Sequence, residues 1–399
     1  MVRRKLKVAL GHPGLGYGGS EARVMWGIEA LKDSYEVSLI TTGEVDLARL
    51  NQYYGTNVQP HEITVLRVPL PSFILKMAGG DALRGALYGR FCRKVANQFD
   101  VLISTYNFCD FGVPAIHCLA DFSWNEEIRT RSDPIPMGLR GVFHRHSIIR
   151  KGYLALVKTL ASPSGRNLLS GEDLLLANST WSAGIMKKKY GVDIEVLYPP
   201  VFDGFPEVPP DRKTWGFVCI GRISSEKRIE QILEILERVR RRGQNIHLHV
   251  IGKIDGTPYA RKILRLSQEY GDWVFFEGTK FGENKAKILA WHRFGIHARK
   301  NEPFGISVAE MLKAGCITFV PKEGGQAEIT NHPLLLYDSV EDAVKKIEAV
   351  LRQPDLQTEL RDHLVRQSER FSTNRFIDEF RKAVEQFICM KNGVKKGAA

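Results

Sequence analysis

Short apolar runs, rich in β-branched residues, recur along the chain and alternate with stretches of helical periodicity. This alternation is typical of repeated strand–helix units, whose parallel strands are buried on both faces. In the first half, the predicted strands cover residues 6–11, 36–40, 64–68, 100–104, 114–119 and 174–179. The alternation resumes later with predicted strands at residues 216–221, 247–252, 274–278, 295–299 and 317–321. The pattern therefore predicts an α/β protein with two doubly wound halves.

A proline-dense segment, VLYPPVFDGFPEVPPDRKTW, separates the two halves. A chain of 399 residues also exceeds a usual single core. We therefore predict an N-terminal domain (residues 1–198), a linker (199–215) and a C-terminal domain (216–373). Residues 374–390 follow two candidate helix caps, and we expect them to form a last helix that packs back on the N-terminal domain.

Several features of the sequence indicate the cellular compartment of the protein. The apolar runs are strand-sized and fall far short of the roughly 20 residues that cross a bilayer. The amino terminus, MVRRKLKVALGHPG, is interrupted by Gly11 and Pro13 and is not expected to be a secretory signal. The 6 cysteines include no Cys-x-x-Cys pair, which favours a reducing compartment. We expect a cytoplasmic protein.

The formal net charge of +12 indicates an anionic partner. A nucleic-acid binder is disfavoured, since no helix-turn-helix, zinc ligand set or RNA-recognition motif is visible. Residues 129–158 carry seven basic side chains against one acid, with apolar residues interleaved. This segment predicts a docking surface for an anionic membrane or a guide for a phosphorylated acceptor, with solvated charge as the alternative.

A glycine-rich turn follows the first predicted strand. Gly14, Gly16, Gly18 and Gly19 precede a helix that starts near Ser20, and glycines let backbone N–H groups approach a phosphate there. A nicotinamide site is disfavoured because the second strand ends in threonines and lacks an acid. A P-loop is excluded because no Gly-Lys-Ser/Thr follows. A tight turn without a ligand stays open as the alternative.

Two cations follow the first strand of the second half. Arg222 comes directly after that strand, and Lys227 lies at the start of the next helix. Together they could bind a diphosphate from two sides, whereas either residue alone could be surface charge. In the first half, His117 lies near the end of a strand, where open α/β sheets place ligand contacts. A partnered core histidine is the alternative.

The stretch NEPFGISVAEMLKAG places two acids around a predicted helix start. The free N–H groups of Phe304, Gly305 and Ile306 would form an anion site. Glu302 and Glu310 would then bind neutral hydroxyls at the two ends of the ligand. The alternative is that Glu302 neutralises the helix dipole and Glu310 lies on a solvated face.

Taken together, these motifs resemble retaining glycosyltransferases of family 4, which have the GT-B fold of two Rossmann-like doubly wound domains facing across a cleft. The similarity covers most of the chain and rests on the Glu-x7-Glu motif EPFGISVAE and on motifs in a shared order. The other motifs are GGSE at 18–21, the strand histidine, LANST at 176–180, VLYPPV, GRISSEK at 221–227, and the later AGC and EGG. The sequence around IHCLADF, NEPFGISVAEM and PPV is most similar to that of mannosyltransferases that act on lipid-linked glycans.

The resemblance implies a role for each matching residue on the donor side. Arg222 and Lys227 would bind the donor diphosphate and stabilise the leaving group, and Glu310 would bind ribose hydroxyls. Glu302 would position the transferred sugar together with the amides of the helix start: those of Phe304, Gly305 and Ile306.

On the opposite side of the cleft, the resemblance implies that His117 contacts the sugar near the reacting carbon and that Gly18 and Gly19 border donor phosphate and acceptor. Two departures concern the acceptor side: AGCITFVP replaces a Gly-x-Pro motif, and the stretch from Ser123 to Gly152 does not align with the family pattern.

The implied reaction is retaining transfer of a hexose from a nucleotide sugar to a glycan, lipid-linked or small-molecule acceptor. GDP-mannose is favoured as the donor, and UDP-sugars stay open. We expect no metal and no other cofactor, since the chain contains no Asp-x-Asp motif. The alternatives are a sugar-nucleotide sensor without turnover and an epimerase on the same fold. We also expect a peripheral membrane contact if the basic segment docks on lipid.

Overall fold

Two parallel β-sheets, one of seven strands and one of six, organise the chain. The structure is a computed structural model that describes residues 4–77, 80–125, 127–128 and 147–397. Every strand pair in these residues is parallel. The prediction of two Rossmann-like doubly wound halves is confirmed.

The first sheet has the order β3-β2-β1-β4-β5-β6-β7. Its strands are β1 (Lys7–Gly11), β2 (Glu36–Thr41), β3 (Ile63–Arg67), β4 (Val101–Ser104), β5 (Ile116–Leu119), β6 (Leu174–Ala177) and β7 (Glu195–Val196). Its helices are α1 (Gly19–Leu31), α2 (Leu47–Tyr54), α3 (Ser72–Lys76), α4 (Asp81–Val95), α5 (Ser147–Ala161) and α6 (Thr180–Tyr190). The strand order reverses between β1 and β4, and such a reversal opens a crevice at the carboxyl ends of the strands.

The second sheet has the order β10-β9-β8-β11-β12-β13 and reverses between β8 and β11. Its strands are β8 (Thr214–Ile220), β9 (His247–Ile251), β10 (Val274–Gly278), β11 (His292–Ile296), β12 (Ile317–Pro321) and β13 (Leu336–Tyr337). Its helices are α7 (Ile229–Arg241), α8 (Pro258–Tyr270), α9 (Gly282–Trp291), α10 (Ile306–Lys313), α11 (Gln326–Thr330), α12 (Val340–Leu351) and α13 (Pro354–Ser368). Because each sheet has such a crevice, a ligand site is expected at the carboxyl ends of β1 and β8.

The last helix, α14 (Thr373–Gly397), returns to the first sheet. Its buried side chains Phe376, Phe380, Val384 and Phe387 belong to the same core as Leu10 and Ile28 of the first domain. A Cβ at Gly27 of α1 would lie 3.1 Å from the Phe380 ring, so the missing side chain lets the two helices approach. The chain therefore passes between the two sheets twice, once before β8 and once before α14.

One predicted strand is displaced. The apolar run indicated residues 295–299, but β11 spans His292–Ile296 and begins directly after α9. The polar residues His292 and Arg293 hid the start of the strand, although His292 is only 4% exposed and pairs with Thr214 of β8. β7 and β13 were not predicted, because two residues are too few to show a period.

Most of the predicted basic docking segment lies outside the described residues. Within its described part, Lys158 of α5 is exposed. Among the described residues, no helix has the length and apolar content needed to cross a membrane.

Candidate active site

A cavity of about 590 Å³ lies between the carboxyl ends of the two sheets. From the first domain it is lined by Tyr17, Gly18, Ala22, Trp26, Tyr53 and Tyr54. The linker contributes Pro200 and Phe202. The second domain contributes Ile220, Gly221, Arg222, Lys227, Ile251, Gly252, Lys253, Thr279, Lys280, Phe281, Lys285, Ile306, Ser307 and Glu310. The cavity thus collects several residues that the sequence singled out from both halves of the chain.

The glycine-rich turn after β1 is held in place by Tyr54. The Tyr54 hydroxyl accepts a hydrogen bond from Gly18 N (2.9 Å), and its oxygen lies 3.0 Å from the carbonyl oxygen of Gly16. Burial and the nearby Glu21 carboxylate raise the pKa of Tyr54, so the hydroxyl keeps its proton and can donate. A Cβ built on Gly19 would lie 3.5 Å from the Ile306 side chain. The two helix starts therefore face each other across the cleft.

The ends of β8 and β9 form the opposite wall. A Cβ on Gly252 would lie 1.8 Å from the carbonyl oxygen of Gly221, so only glycine permits this approach. Arg222 follows at once, with 73% of its side chain exposed and its guanidinium 3.2 Å from Glu226. Lys227 lies deeper, with 15% of its side chain exposed. One exposed cation and one largely covered cation thus line the same cavity.

Glu302 lies behind the cavity wall and is surrounded by basic groups. Its carboxylate accepts from Lys227 Nζ (2.8 Å) and from Arg299 (3.2 Å), and His297 Nε2 lies 3.4 Å away. Burial alone would raise the pKa of Glu302, but the charges of Lys227 and Arg299 hold it well below its usual value. Glu302 is therefore ionised, and it fixes the position of Lys227.

The turn after Glu302 prepares a helix start. Gly305 has φ +102°, a conformation that favours glycine, and α10 begins at the next residue. The N–H groups of Val308 and Ala309 bind the Gly305 carbonyl, so the amides before them precede the first helical hydrogen bond. Phe304 is 3% exposed and anchors the turn in the core. The arrangement leaves a helix amino terminus directed at the cavity, where it favours an anion.

Glu310 lines the cavity one turn into α10. It forms an ion pair with Lys285 of α9 at 2.6 Å, and Lys285 Nζ also lies 5.2 Å from the centre of the Tyr53 ring. Burial alone would lower the pKa of Lys285, but the charge of Glu310 and the Tyr53 hydroxyl raise it. Glu310 is thus held at a fixed place, beside an aromatic ring from the first domain.

The first domain also holds the Glu302 turn directly. Ser179 and Ser182, at the start of α6, both donate to the carbonyl oxygen of Pro303, with a distance of 3.2 Å for Ser182. Thr180 N donates to Glu328 of α11 at 3.1 Å. The LANST motif therefore positions the helix start of the other domain.

His117 is not brought to the cavity, contrary to the sequence expectation. Its side chain in β5 is fully buried; Nδ1 accepts from Cys109 N at 3.4 Å, and Nε2 lies 3.4 Å from Asp173. Both ring nitrogens thus face protein groups, which is the partnered core histidine that the sequence left as an alternative. The physical reason is that β5 continues two residues beyond His117, to Leu119.

Three lysines and six aromatic residues of the cavity lining were missed by the sequence predictions. Lys253 and Lys280 follow β9 and β10 as Arg222 follows β8, and this shared position could have identified them. Tyr17 and Phe281 are 5.0 Å apart between ring centres and meet across the cleft. Neither this contact nor Lys285 left a sequence signal, since each depends on how distant elements pack.

Part of the chain matches a known family model. Residues 205–371, most of the second domain, match the family model described as "Glycosyl transferases group 1". The solved structures with the same fold include the Anabaena protein HepE in complex with UDP and glucose, with a TM-score of 0.66, 14% identity, and coverage of 96% of this chain and 100% of that chain. Another is a sucrose-phosphate synthase from Thermosynechococcus elongatus, with a TM-score of 0.71, 15% identity, and coverage of 96% and 100%. The chain therefore shares the GT-B fold of these solved structures, and its second domain matches the glycosyl transferase family model.

Over about half of its length, the chain is also similar in sequence to mannosyltransferases. It is 26% identical over 246 residues to the GDP-Man:Man(3)GlcNAc(2)-PP-Dol alpha-1,2-mannosyltransferase of Dictyostelium discoideum, covering 54% of this chain and 47% of that protein. It is 28% identical over 237 residues to the Homo sapiens protein of the same name, covering 53% and 46%. The chain spans about half the length of these two relatives.

Proposed function

We propose that this protein is a retaining hexosyltransferase that moves mannose from GDP-mannose to a lipid-linked glycan. The observation that carries the proposal is the convergence of Arg222, Lys227, the α10 amino terminus and Glu310 on one cavity between two domains. Mannose, the guanine nucleotide and the lipid-linked acceptor are supported by the names of the two mannosyltransferases that the chain resembles.

The charge of the cavity fits a nucleoside diphosphate. Its lining includes five cationic side chains and one acid: Arg222, Lys227, Lys253, Lys280 and Lys285 against Glu310. Lys285 is paired with Glu310 inside the cavity, whereas Arg222, Lys227 and Lys280 pair with acids that do not line it, namely Glu226, Glu302 and Glu277. A diphosphate in the cavity would therefore meet an excess of positive side chains. Fixed cations of this kind stabilise negative charge as it develops on the leaving group.

In the proposed reaction, the bond between the anomeric carbon and the β-phosphate oxygen breaks, and the acceptor hydroxyl attacks from the same face. The hydroxyl proton passes to the departing phosphate oxygen, so the nucleoside diphosphate leaves with that proton. Lys227 and the α10 amides hold the β-phosphate during this step, and Arg222 swings onto it from the solvent side. Positioning and electrostatic stabilisation supply the acceleration, and the protein's own cations serve in place of a metal ion.

Glu310 and Glu302 are assigned to opposite ends of the donor. Glu310 lies beside Tyr53 and Lys285 inside the cavity, which suits hydrogen bonds to ribose hydroxyls. Without a ligand, the carboxylate of Glu302 accepts hydrogen bonds from Lys227 and Arg299, so it is not free to bind the transferred sugar. When the diphosphate attracts Lys227, the carboxylate of Glu302 becomes available to a sugar hydroxyl.

The test is transfer with purified components. The protein is incubated with GDP-mannose and a short-chain lipid diphosphate oligosaccharide, and mass spectrometry follows the gain of one hexose on the acceptor. Parallel reactions use UDP-glucose and EDTA-treated protein, and proton NMR of the product reports the anomeric configuration. Arg222→Ala should fold normally and lose transfer; Arg238→Ala, a similar change on the outer face of α7, should leave it unchanged.

The result also separates the alternatives. Donor binding without any product would favour a sensor, and donor isomerised without acceptor would favour an epimerase. An inverted product, or transfer that EDTA abolishes, would overturn the retaining or metal-independent part of the proposal. Failure to bind any nucleotide sugar would overturn the whole.

A further inference from the structure

Three histidines form a cluster in the second sheet, outside the cavity lining. His247 and His249 lie in β9 and point to the same face, and His292 begins β11. Their rings are 4.5 to 5.4 Å apart between centres, and one ligand nitrogen from each lies within 4.8 Å of the others. His247 starts β9, whereas Gly252 in the cavity follows its end, which is roughly 16 Å along the strand.

Two of the rings are already oriented as metal ligands are. His249 Nδ1 lies 2.8 Å from the Glu277 carboxylate, and His292 Nδ1 lies 2.6 Å from the carbonyl oxygen of Ile288. A hydrogen bond from Nδ1 to a carboxylate or a carbonyl fixes the tautomer and leaves the Nε2 lone pair free, which is the usual support of a metal-bound histidine.

His292 supplies an independent indication of a ligand. Only 4% of the residue is exposed, and its Nε2 has no hydrogen-bond partner among the described residues. A buried nitrogen without a partner is costly.

The strand between the two ligand strands is shaped to admit the rings. β8 runs between β9 and β11, and its residue opposite His247 is Gly216. A Cβ on Gly216 would lie 2.1 Å from His247 Nε2, so a side chain there would displace the ring. His249 keeps 23% of its side chain exposed, which leaves a route for an ion from solvent.

We propose that His247, His249 and His292 bind one divalent transition-metal ion, with Zn²⁺ as the best fit, and that Glu277 positions His249. Three imidazoles with an open position for water are a common zinc set. Nitrogens on one zinc are about 3.3 Å apart, so the rings move together by on the order of 1 Å on binding. The ion would join β9 to β11 across β8. The ion would lie toward the amino-terminal ends of β9 and β11, outside the residues that line the donor cavity, and would take no part in transfer.

The experiment uses the full chain without a histidine tag, freed of metal with EDTA and then dialysed. Isothermal titration with ZnCl₂ should show one ion per chain with micromolar or tighter affinity, and the melting temperature should rise with zinc concentration. Co²⁺ in place of zinc should give the intense visible absorption of a four- or five-coordinate ion.

His249→Asn should weaken zinc binding at least about tenfold and abolish the cobalt band. Glu277→Gln, which alters no ligand, should weaken binding about tenfold to a hundredfold. His332→Asn is the matched control, because His332 also lies beside a second histidine, His363, at 5.2 Å between ring centres. Circular dichroism checks the folding of each variant. The proposal is overturned if the wild type binds no zinc, or if His249→Asn and Glu277→Gln both bind it as the wild type does.

Discussion

Lys227 and Glu302 are separated by 75 residues in the sequence, yet Lys227 Nζ lies 2.8 Å from Glu302 Oε2 at the wall of the cavity. This pair links the turn after β8 to the turn before α10. Both turns belong to the proposed diphosphate site, so the ion pair sets the distance between its parts. A ligand phosphate must compete with Glu302 for the same ammonium group.

Replacing the cation tests this directly. Lys227→Met should lower the affinity for GDP by about tenfold to a hundredfold, because a hydrogen bond to a charged group contributes on the order of 1.5–3 kcal/mol. Isothermal titration measures the affinity. Lys346→Met is the control, since Lys346 also forms an ion pair, 2.9 Å from Asp342, but lies in α12 outside the cavity. Equal GDP affinity in the two variants would remove Lys227 from the site.

The depressed pKa of Glu302 predicts a pH dependence of stability. A carboxyl group with a lowered folded-state pKa stabilises the fold above its unfolded value of about 4.5, and this contribution is lost as pH falls through the folded pKa. The difference in unfolding free energy between wild type and Glu302→Gln should therefore be constant from roughly pH 5 to 8 and shrink below about pH 4.5. Urea unfolding followed by tryptophan fluorescence measures it. A difference that grows on acidification would contradict the assigned ion pair.

The contact between the domains at Pro303 predicts an excess cost for losing Ser179. Ser179 caps α6 by accepting from Ser182 N at 3.0 Å, and it also donates to Pro303. Ser339 caps α12 in the same way, accepting from Asp342 N at 3.2 Å, without a bond to the other domain. Ser339→Ala should cost about 1 kcal/mol and Ser179→Ala about 1 kcal/mol more. Thermal and urea unfolding compare them, and equal losses would show that the Pro303 bond contributes nothing.

The close approach of Gly252 to Gly221 predicts that this wall tolerates no side chain. Gly252→Ala would push a methyl group onto the Gly221 carbonyl, so β8 and β9 must separate and the cavity must deform. We expect a loss of more than about 2 kcal/mol of stability and of measurable donor binding. Gly43→Ala is the matched control, because a Cβ there meets nothing within 4 Å. A variant at Gly252 with normal stability would contradict this packing.

The sequence predicted the fold well because parallel strands are apolar on both faces and therefore stand out. It placed β11 three residues late because His292 and Arg293, the first two residues of this central strand, break the apolar run. β7 and β13 have only two residues each, too few to show the alternation of a strand, and could not be predicted.

Residues of the cavity could be predicted from the sequence where they lie together in one local motif. Arg222 and Lys227 lie together after one strand, so their convergence on the cavity follows from the position of that strand. Lys285 reaches the cavity from the start of a helix whose sequence looks like any solvated surface. His117 lies two residues before the end of β5, away from the cavity lining, and a local pattern does not fix a strand end to within two residues. Its contact with the sugar stays a prediction.

The return of α14 to the first sheet restricts how the cleft can change its width. Two peptide segments join the domains, and the second is anchored by four aromatic or aliphatic side chains inside the first core. A single tether would permit free rotation of one lobe against the other, whereas two tethers define an axis and leave a bending motion about it. The cleft between the domains should therefore open by bending about this axis. The hydrogen bonds to the Pro303 carbonyl would have to break for it to open.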